Sequence, residues 1–262
     1  MFCELWNGDC LELMKDIKDN SIDMILCDLP YGTTACKWDT IIPFEPLWEQ
    51  YKRIIKDDGA IVLFGSQPFT SLLVASNLKM FKYEWIWKKA VGSNFATVKY
   101  MPMKEHENIL VFGKGRTKYF PILQVRAEGG KARLNYGHKG SRTGEAVGSL
   151  DFKGFTSETY NKDLRCPSSV QYFNNREACR GLHPTQKPVD LLEYLIKTYT
   201  NESELVLDNC MGSGSTGIAC MNINRHFVGI ELDKNYYDIS VNRIENKNKE
   251  LNNKYVINKK ED

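Results

Sequence analysis

Two apolar runs in this chain stop at an aspartate and turn directly into a loop. The first is SIDMILCD (Ser21–Asp28), followed by Leu-Pro-Tyr-Gly; the second is ELVLD (Glu204–Asp208), followed by Asn-Cys-Met-Gly-Ser-Gly-Ser-Thr-Gly. Short continuous apolar runs bounded by turn residues suit strands buried on both faces. Four further runs read the same way: AIVLFG (60–65), YEWIW (83–87), NILVFG (108–113) and HFVGIEL (226–232). Between them lie segments with apolar residues at helical spacing. These are FEPLWEQYKRIIKDDG (44–59), PFTSLLVASNL (68–78), PVDLLEYLIKTYT (188–200), GSTGIACMNIN (214–224) and a stretch from Asn235 to about Asn248. Strands alternating with helices predict a Rossmann-like α/β fold, with a parallel sheet covered on both faces. Ligands of such sheets bind beyond the carboxyl ends of the strands. Asp28 and Asp208 both fall there.

The alternation is interrupted once. From 114 to 181 glycine recurs among Lys, Arg, Ser and Thr, and little apolar surface is available. This segment is too long for an idle connection and reads as an insertion or small second domain. The α/β domain is then expected over 1–113 and 182–250. The Lys- and Asn-rich end, 251–262, is expected to fray. At 262 residues the chain is long enough for a sizeable core, and 42% hydrophobic with 26% charged residues is ordinary for a globular protein. No basic leader precedes an apolar run at the N-terminus, and no stretch approaches a membrane span. None of the eight cysteines has C-x-x-C spacing, so no metal site is expected. Scattered in apolar segments, they suit reduced thiols and a cytoplasmic protein.

Charge is unevenly placed. Residues 79–180 hold 19 Lys and Arg against 9 Asp and Glu, a net of +10, so the remainder carries −8 within an overall +2. A basic middle between acidic flanks suits a polyanion, although charge alone leaves a solvated surface equally open. Arg126, Lys131, Arg133, Lys139 and Arg142 are the candidate contacts.

The second loop matches G-x-G-x-x-G at Gly212–Gly217, and Glu231 closes the next strand where an acid can bind ribose hydroxyls. A dinucleotide would set pyrophosphate at the following helix N-terminus. Asp208, four residues before the first glycine, would repel pyrophosphate and attract an ammonium group. That favours S-adenosylmethionine over NAD. In the first loop Asp28 can accept from an amino group, Pro30 fixes the turn, and Tyr31 offers a flat face. The set suits an exocyclic amine on a planar heterocycle, although a plain strand-ending turn also fits those residues.

Four stretches then carry a family resemblance. DLPYG (28–32) resembles the D-P-P-Y motif of DNA amino-methyltransferases, and DNCMGSGSTG (208–217) their D-P-F-x-G-S-G-T-T loop. HPTQKP (183–188) is similar to their H-P-x-Q-K-P segment, and NGDCLELM (7–14) to their G-D-C segment. The order, with the catalytic motif before a variable basic segment and the cofactor loop last, is that of the β group. The resemblance implies that Asp9 and Cys10 contact the cofactor adenine, with Glu231 on its ribose. It implies that Asp208, Gly212 and Gly214 line the methionine and ribose pocket, that Lys187 and Asp28 lie close to the cofactor, and that Asp28, Pro30 and Tyr31 hold the target base. It implies a target-recognition role for 114–181. Two departures stand out. Leu29 replaces the first proline of the catalytic motif, and Asn209-Cys210 replace Pro-Phe in the cofactor loop, which is expected to weaken cofactor contact.

The activity implied is methyl transfer from S-adenosylmethionine to adenine N6 in double-stranded DNA, with base flipping. Cytosine N4 is the alternative, being another exocyclic amine; Asp rather than Ser at position 28 favours adenine. Cytosine C5 chemistry lacks its Pro-Cys. A DNA-binding module with a vestigial cofactor fold is the reading of another class, opposed by intact Asp28, Tyr31, Asp208 and Glu231. A homodimer and a separately acting cognate restriction endonuclease are compatible partners that the residues do not decide, and no membrane partner is expected.

Overall fold

A computed structural model of the protein describes residues 1–32, 40–126, 163–176 and 186–261. The strands are β1 (Phe2–Asn7), β2 (Ile22–Cys27), β3 (Ile55–Gly65), β4 (Phe81–Ser93), β5 (Lys104–Phe112), β6 (Gln124–Val125), β7 (Leu164–Arg165), β8 (Val170–Phe173), β9 (Leu205–Asp208), β10 (His226–Glu231) and β11 (Val256–Glu261). The helices among the described residues are α1 (Cys10–Leu13), α2 (Phe44–Ile54), α3 (Phe69–Ser76), α4 (Val189–Tyr199), α5 (Ser215–Asn222) and α6 (Lys234–Glu250). Two compact units result, Met1–Phe120 with Ser169–Asp262, and Pro121–Ser168. The dividing points lie inside the 114–181 segment. In the smaller unit β6 and β7 pair antiparallel.

Nine strands of the larger unit form one sheet in the order β11-β1-β10-β9-β2-β3-β5-β4-β8. From β11 to β3 every neighbouring pair is parallel. Alternate side chains of each central strand enter two different cores. Met24, Leu26, Val62, Phe64 and Val111 join Leu191, Leu195, Tyr199 and Ile244 on one face. Ile25, Cys27, Ile61, Leu63 and Leu110 join Leu47, Trp48, Tyr51 and Phe69 on the other. That is the period-2 alternation of a strand buried on both faces.

Three expectations are corrected. The sheet is not wholly parallel, because β5 runs antiparallel to both β3 and β4. No crossover helix separates β4 from β5, so the chain turns back as a hairpin. The helix expected over 44–59 ends at Ile54, and Ile55 opens β3 opposite Ile22. Leu47, Trp48, Tyr51 and Ile54 complete the buried stripe of α2, and a buried Ile55 immediately after it needs a different element. The end of the chain does not fray: β11 pairs with β1 from Phe2↔Val256 to Asn7↔Glu261. Buried Tyr255 starts it, clamped by Asn248, whose side chain donates to the Tyr255 carbonyl at 2.8 Å and accepts from its N–H at 2.9 Å. Backbone pairing, not apolar burial, holds this edge, and its lysines discourage further strand addition.

Candidate active site

The adjacent parallel strands β1, β10, β9 and β2 end along one edge of the sheet, which brings Asp9, Glu231, Asp208 and Asp28 to the rim of one cavity of about 730 Å3. The lining residues among the described ones belong to the larger unit.

At the glycine-loop end, Gly212 and Gly214 have φ of 51° and 77°, the left-handed region that favours glycine. A Cβ on Gly214 would also meet the Ser240 Cβ at 3.0 Å. This tight turn aims the Gly212 N–H at Glu231 Oε2, 2.8 Å away, while the Asp233 N–H holds Oε1 at 2.9 Å. Asp208 Oδ2 accepts from the Thr216 hydroxyl at 2.6 Å and Oδ1 from the Cys210 N–H at 3.2 Å. Both carboxylates are buried, and neither forms an ion pair among the described residues. Burial therefore dominates: it pushes Asp208 from 3.8 up to about 7 against its hydrogen bonds from Thr216, Cys210 and the Cys27 thiol, and it raises Glu231 as well. Asp9 caps α1, accepting from the Leu11 N–H at 2.7 Å. Cys10 follows it, with its sulfur 3.6 Å from Asn209 Nδ2.

At the other end, both oxygens of Asp28 are engaged. Oδ1 accepts from the Tyr31 hydroxyl at 2.7 Å, and Oδ2 from the Lys187 ammonium. The Tyr31 ring stacks on Phe69 at 4.9 Å with 27° between planes, so one of its faces is already covered. Leu29 turns into the core at 3% exposure, which anchors the loop by burial where a second proline would have stiffened it. Lys187 lies 3.6 Å from Glu107 Oε2 and 5.0 Å from the centre of the Phe64 ring. Burial alone would push the Lys187 ammonium down, but Asp28 and Glu107 outweigh it and hold it above its ordinary value. Burial likewise opposes ionisation of Glu107, yet Lys187, Lys89 and Lys104 hold it below the usual carboxylate range. Lys89 grips Glu107 Oε1.

A DNA methylase family model, of the N6/N4 type, matches residues 22–242. The chain belongs to the N6/N4 DNA methylase family. Among curated relatives it is 28% identical to the Type II methyltransferase M.HpaI of Haemophilus parainfluenzae, over 91% of this chain and 73% of that protein. It is also 28% identical to the DNA adenine methyltransferase YhdJ of Escherichia coli (strain K12), over 91% of this chain and 81% of that one. Its fold is shared with the solved M1.HpyAVI–SAM complex, at a TM-score of 0.61 and 23% identity over 92% of this chain and all of the other. The PvuII DNA methyltransferase, described as cytosine-N4-specific, superposes with a TM-score of 0.62 at 14% identity, covering 98% of this chain and 96% of that one.

In this methylase Asp9, Cys10, Asp28, Pro30, Tyr31, Lys187, Asp208, Gly212 and Glu231 all line the one cavity. Gly214 stands behind the loop, at the start of α5. Arg126 belongs to the smaller unit, where its guanidinium donates to the Leu164 carbonyl at 2.9 Å. Lys131, Arg133, Lys139, Arg142 and His183 lie outside the described residues. Sequence reasoning missed Glu107. The signal was a glutamate before the apolar run of β5, meaningful only once that strand is known to run backwards. No helix among the described residues is long and apolar enough to cross a membrane.

Proposed function

We propose that this methylase transfers a methyl group from S-adenosylmethionine to the exocyclic N6 of adenine in double-stranded DNA, acting on a base flipped out of the duplex. The observation that carries the reading is the contrast between the two ends of the cavity. One end holds two buried carboxylates without a cationic partner among the described residues, Asp208 and Glu231. They fit a ligand with an ammonium group and a ribose diol, and they oppose pyrophosphate. The other end presents Asp28, an acceptor for an amine, beside an aromatic ring.

Bound there, S-adenosylmethionine supplies a methyl group already activated on a sulfonium. Asp208 would hold its methionine portion, Glu231 its ribose, and Asp9 and Cys10 its adenine, with Lys187 nearby. The remaining work is orientation. An adenine amine has its lone pair delocalised into the ring. Asp28, with a backbone carbonyl of the Pro30 turn, accepts the amine hydrogens and directs the lone pair toward the methyl. Alignment of two bound reactants is worth roughly 7–11 kcal/mol in favourable cases. Flipping costs a few kcal/mol, and stacking on Tyr31 returns roughly 1–3 kcal/mol. The catalytic aspartate and the adenine-methylating relative support adenine over cytosine. Target recognition falls to 114–181, with Arg126, Lys131, Arg133, Lys139 and Arg142 on phosphates. The Type II relatives support a role beside a separately acting restriction endonuclease.

The test is incubation of the protein with duplex DNA and tritiated S-adenosylmethionine, followed by nucleoside analysis. N6-methyladenine is expected. N4-methylcytosine would move the target to the other amine, and absence of label in DNA would overturn the reading.

A further inference from the structure

Asp28 has no idle oxygen. Tyr31 holds one and Lys187 the other. A target amine can be accepted only if a partner leaves, and the ammonium of Lys187 competes for the same position as an incoming N–H. Lys187 is 8% exposed, so its charge cannot simply be released into solvent. A second acceptor is within reach. Glu107 Oε2 is buried, accepts no hydrogen bond among the described residues, and lies 3.6 Å from the Lys187 nitrogen. Its sister oxygen is fixed by Lys89, which keeps the carboxylate in place and charged. The direction of β5 explains this placement. Because that strand runs antiparallel to β3, Glu107 near its start sits on the same sheet edge as Asp28.

The geometry points to Glu107 as a positioning residue, a second seat for the Lys187 ammonium, which covers Asp28 until a target amine takes its place and then moves to Glu107. The inference rests on the methyl-transfer reading above, and it adds a gate to it. Until a base arrives, Lys187 satisfies a carboxylate that would otherwise be left half-buried without its cation. When the base arrives, the cluster of Asp28, Glu107, Lys187 and Lys89 keeps two negative and two positive charges throughout. The exchange creates no new charge, and the target amine takes over the hydrogen bond that the ammonium gave Asp28.

Two measurements on the full chain test this. In a crystal structure of Asp28→Ala, the Lys187 nitrogen should lie at hydrogen-bond distance from Glu107 Oε2, about 2.7–3.2 Å. A nitrogen turned to solvent would overturn the proposal. This readout needs no methyl transfer, so it stands apart from the proposed function. The second measurement is steady-state methylation with cofactor binding recorded alongside. Glu107→Gln keeps the shape and loses the charge; kcat/KM for DNA should fall about tenfold or more, with cofactor Kd changed less than about twofold. Glu107→Asp keeps the charge and should stay within about threefold of the wild type. A packing role alone would favour the isosteric Gln over the shorter Asp. An unaffected Glu107→Gln, or a Glu107→Asp worse than Gln, would overturn the assignment. A wild-type protein that methylates no DNA would sink the functional reading, and the crystal structure would still decide where Lys187 sits.

Discussion

The Tyr51 hydroxyl on α2 donates to Asn209 Oδ1 at 2.6 Å, joining the helix layer to the cofactor loop through two buried side chains. Asn209 stands where the resemblance to the D-P-F-x-G-S-G-T-T loop would set a proline, and its side chain makes a bond that proline could not. The other end of the same amide lies 3.6 Å from both the Cys10 and Cys210 sulfurs. The loop that loses a ring of its own is therefore tied to a ring from α2.

Asn209→Ala should be costly, because it leaves the Tyr51 hydroxyl buried and unpaired. A loss of about 1–3 kcal/mol is expected, which is a fall in Tm of roughly 2–4 °C per kcal/mol at this chain length. Tyr51→Phe should also destabilise, and a double change of Asn209→Leu with Tyr51→Phe should cost less than the sum. Denaturation of the four proteins gives the cycle. Strict additivity would mean the two groups are not coupled.

Cofactor binding should weaken as pH falls through about 7. Burial raises Asp208 to about 7, and a cationic ligand requires the ionised form, so below that pH binding must expel a proton. Affinity should then fall at most about tenfold per pH unit. The stability sign is opposite. A folded value above the unfolded 3.8 means that this group's contribution is complete below about 3.8 and lost as pH rises through about 7. Without cofactor, Asp208→Asn should be more stable than the wild type at pH 8, by at most about 4 kcal/mol, and this advantage should vanish near pH 4. Calorimetry and thermal melts across that range test both. The same Tm difference at both pH values would show that Asp208 does not titrate as stated.

Most of the sheet was legible because strands buried on both faces leave continuous apolar runs, as in ILC of β2 and LVL of β9. What escaped depended on direction and on backbone. Nothing in ENILVF states that the strand is antiparallel; the clue was the short proline-bearing link from Ser93 to Lys104, which holds no crossover helix. With β5 reversed, Glu107 reaches the site; read as a parallel strand, it would sit at the opposite edge. The final strand VINKKE was hidden for a different reason. Its side chains bury little, and its stability comes from N–H and C=O groups of β1 that composition does not display. Within the site, the acids at strand ends were legible and their partners were not. Lys187 contacts Asp28 across 159 positions, a separation only the fold can close.

Neutralising Arg126 and Lys131, with Arg133, Lys139 and Arg142, should weaken DNA binding and flatten its dependence on salt. The slope of log K against log salt should shrink by about 0.9 for every phosphate left without its cation. Cofactor affinity should be retained. An unchanged slope would remove this segment from the DNA-binding surface.

The remaining prediction concerns Asp28 and Tyr31. Asp28→Ala removes the acceptor for the reacting amine and should abolish methyl transfer, with kcat and kcat/KM falling together, while cofactor binding survives. Tyr31 has two functions that substitution separates. Its hydroxyl holds Asp28 Oδ1 at 2.7 Å, and its ring, backed by Phe69, lines the cavity where the base is proposed to stack. Tyr31→Phe keeps the ring and loses a charge-assisted hydrogen bond of about 1.5–3 kcal/mol in general. The ring and its place in the cavity remain, and Asp28 is still fixed by its backbone at the end of β2, so the observed loss in kcat should lie at the low end, about tenfold. Tyr31→Ala also removes the stacking, roughly 1–3 kcal/mol more, and should lie well below Tyr31→Phe. Rapid-quench methylation of a duplex containing the target site, with cofactor saturating, gives the three rates. Equal activity of Tyr31→Phe and Tyr31→Ala would show that the base does not stack on this ring.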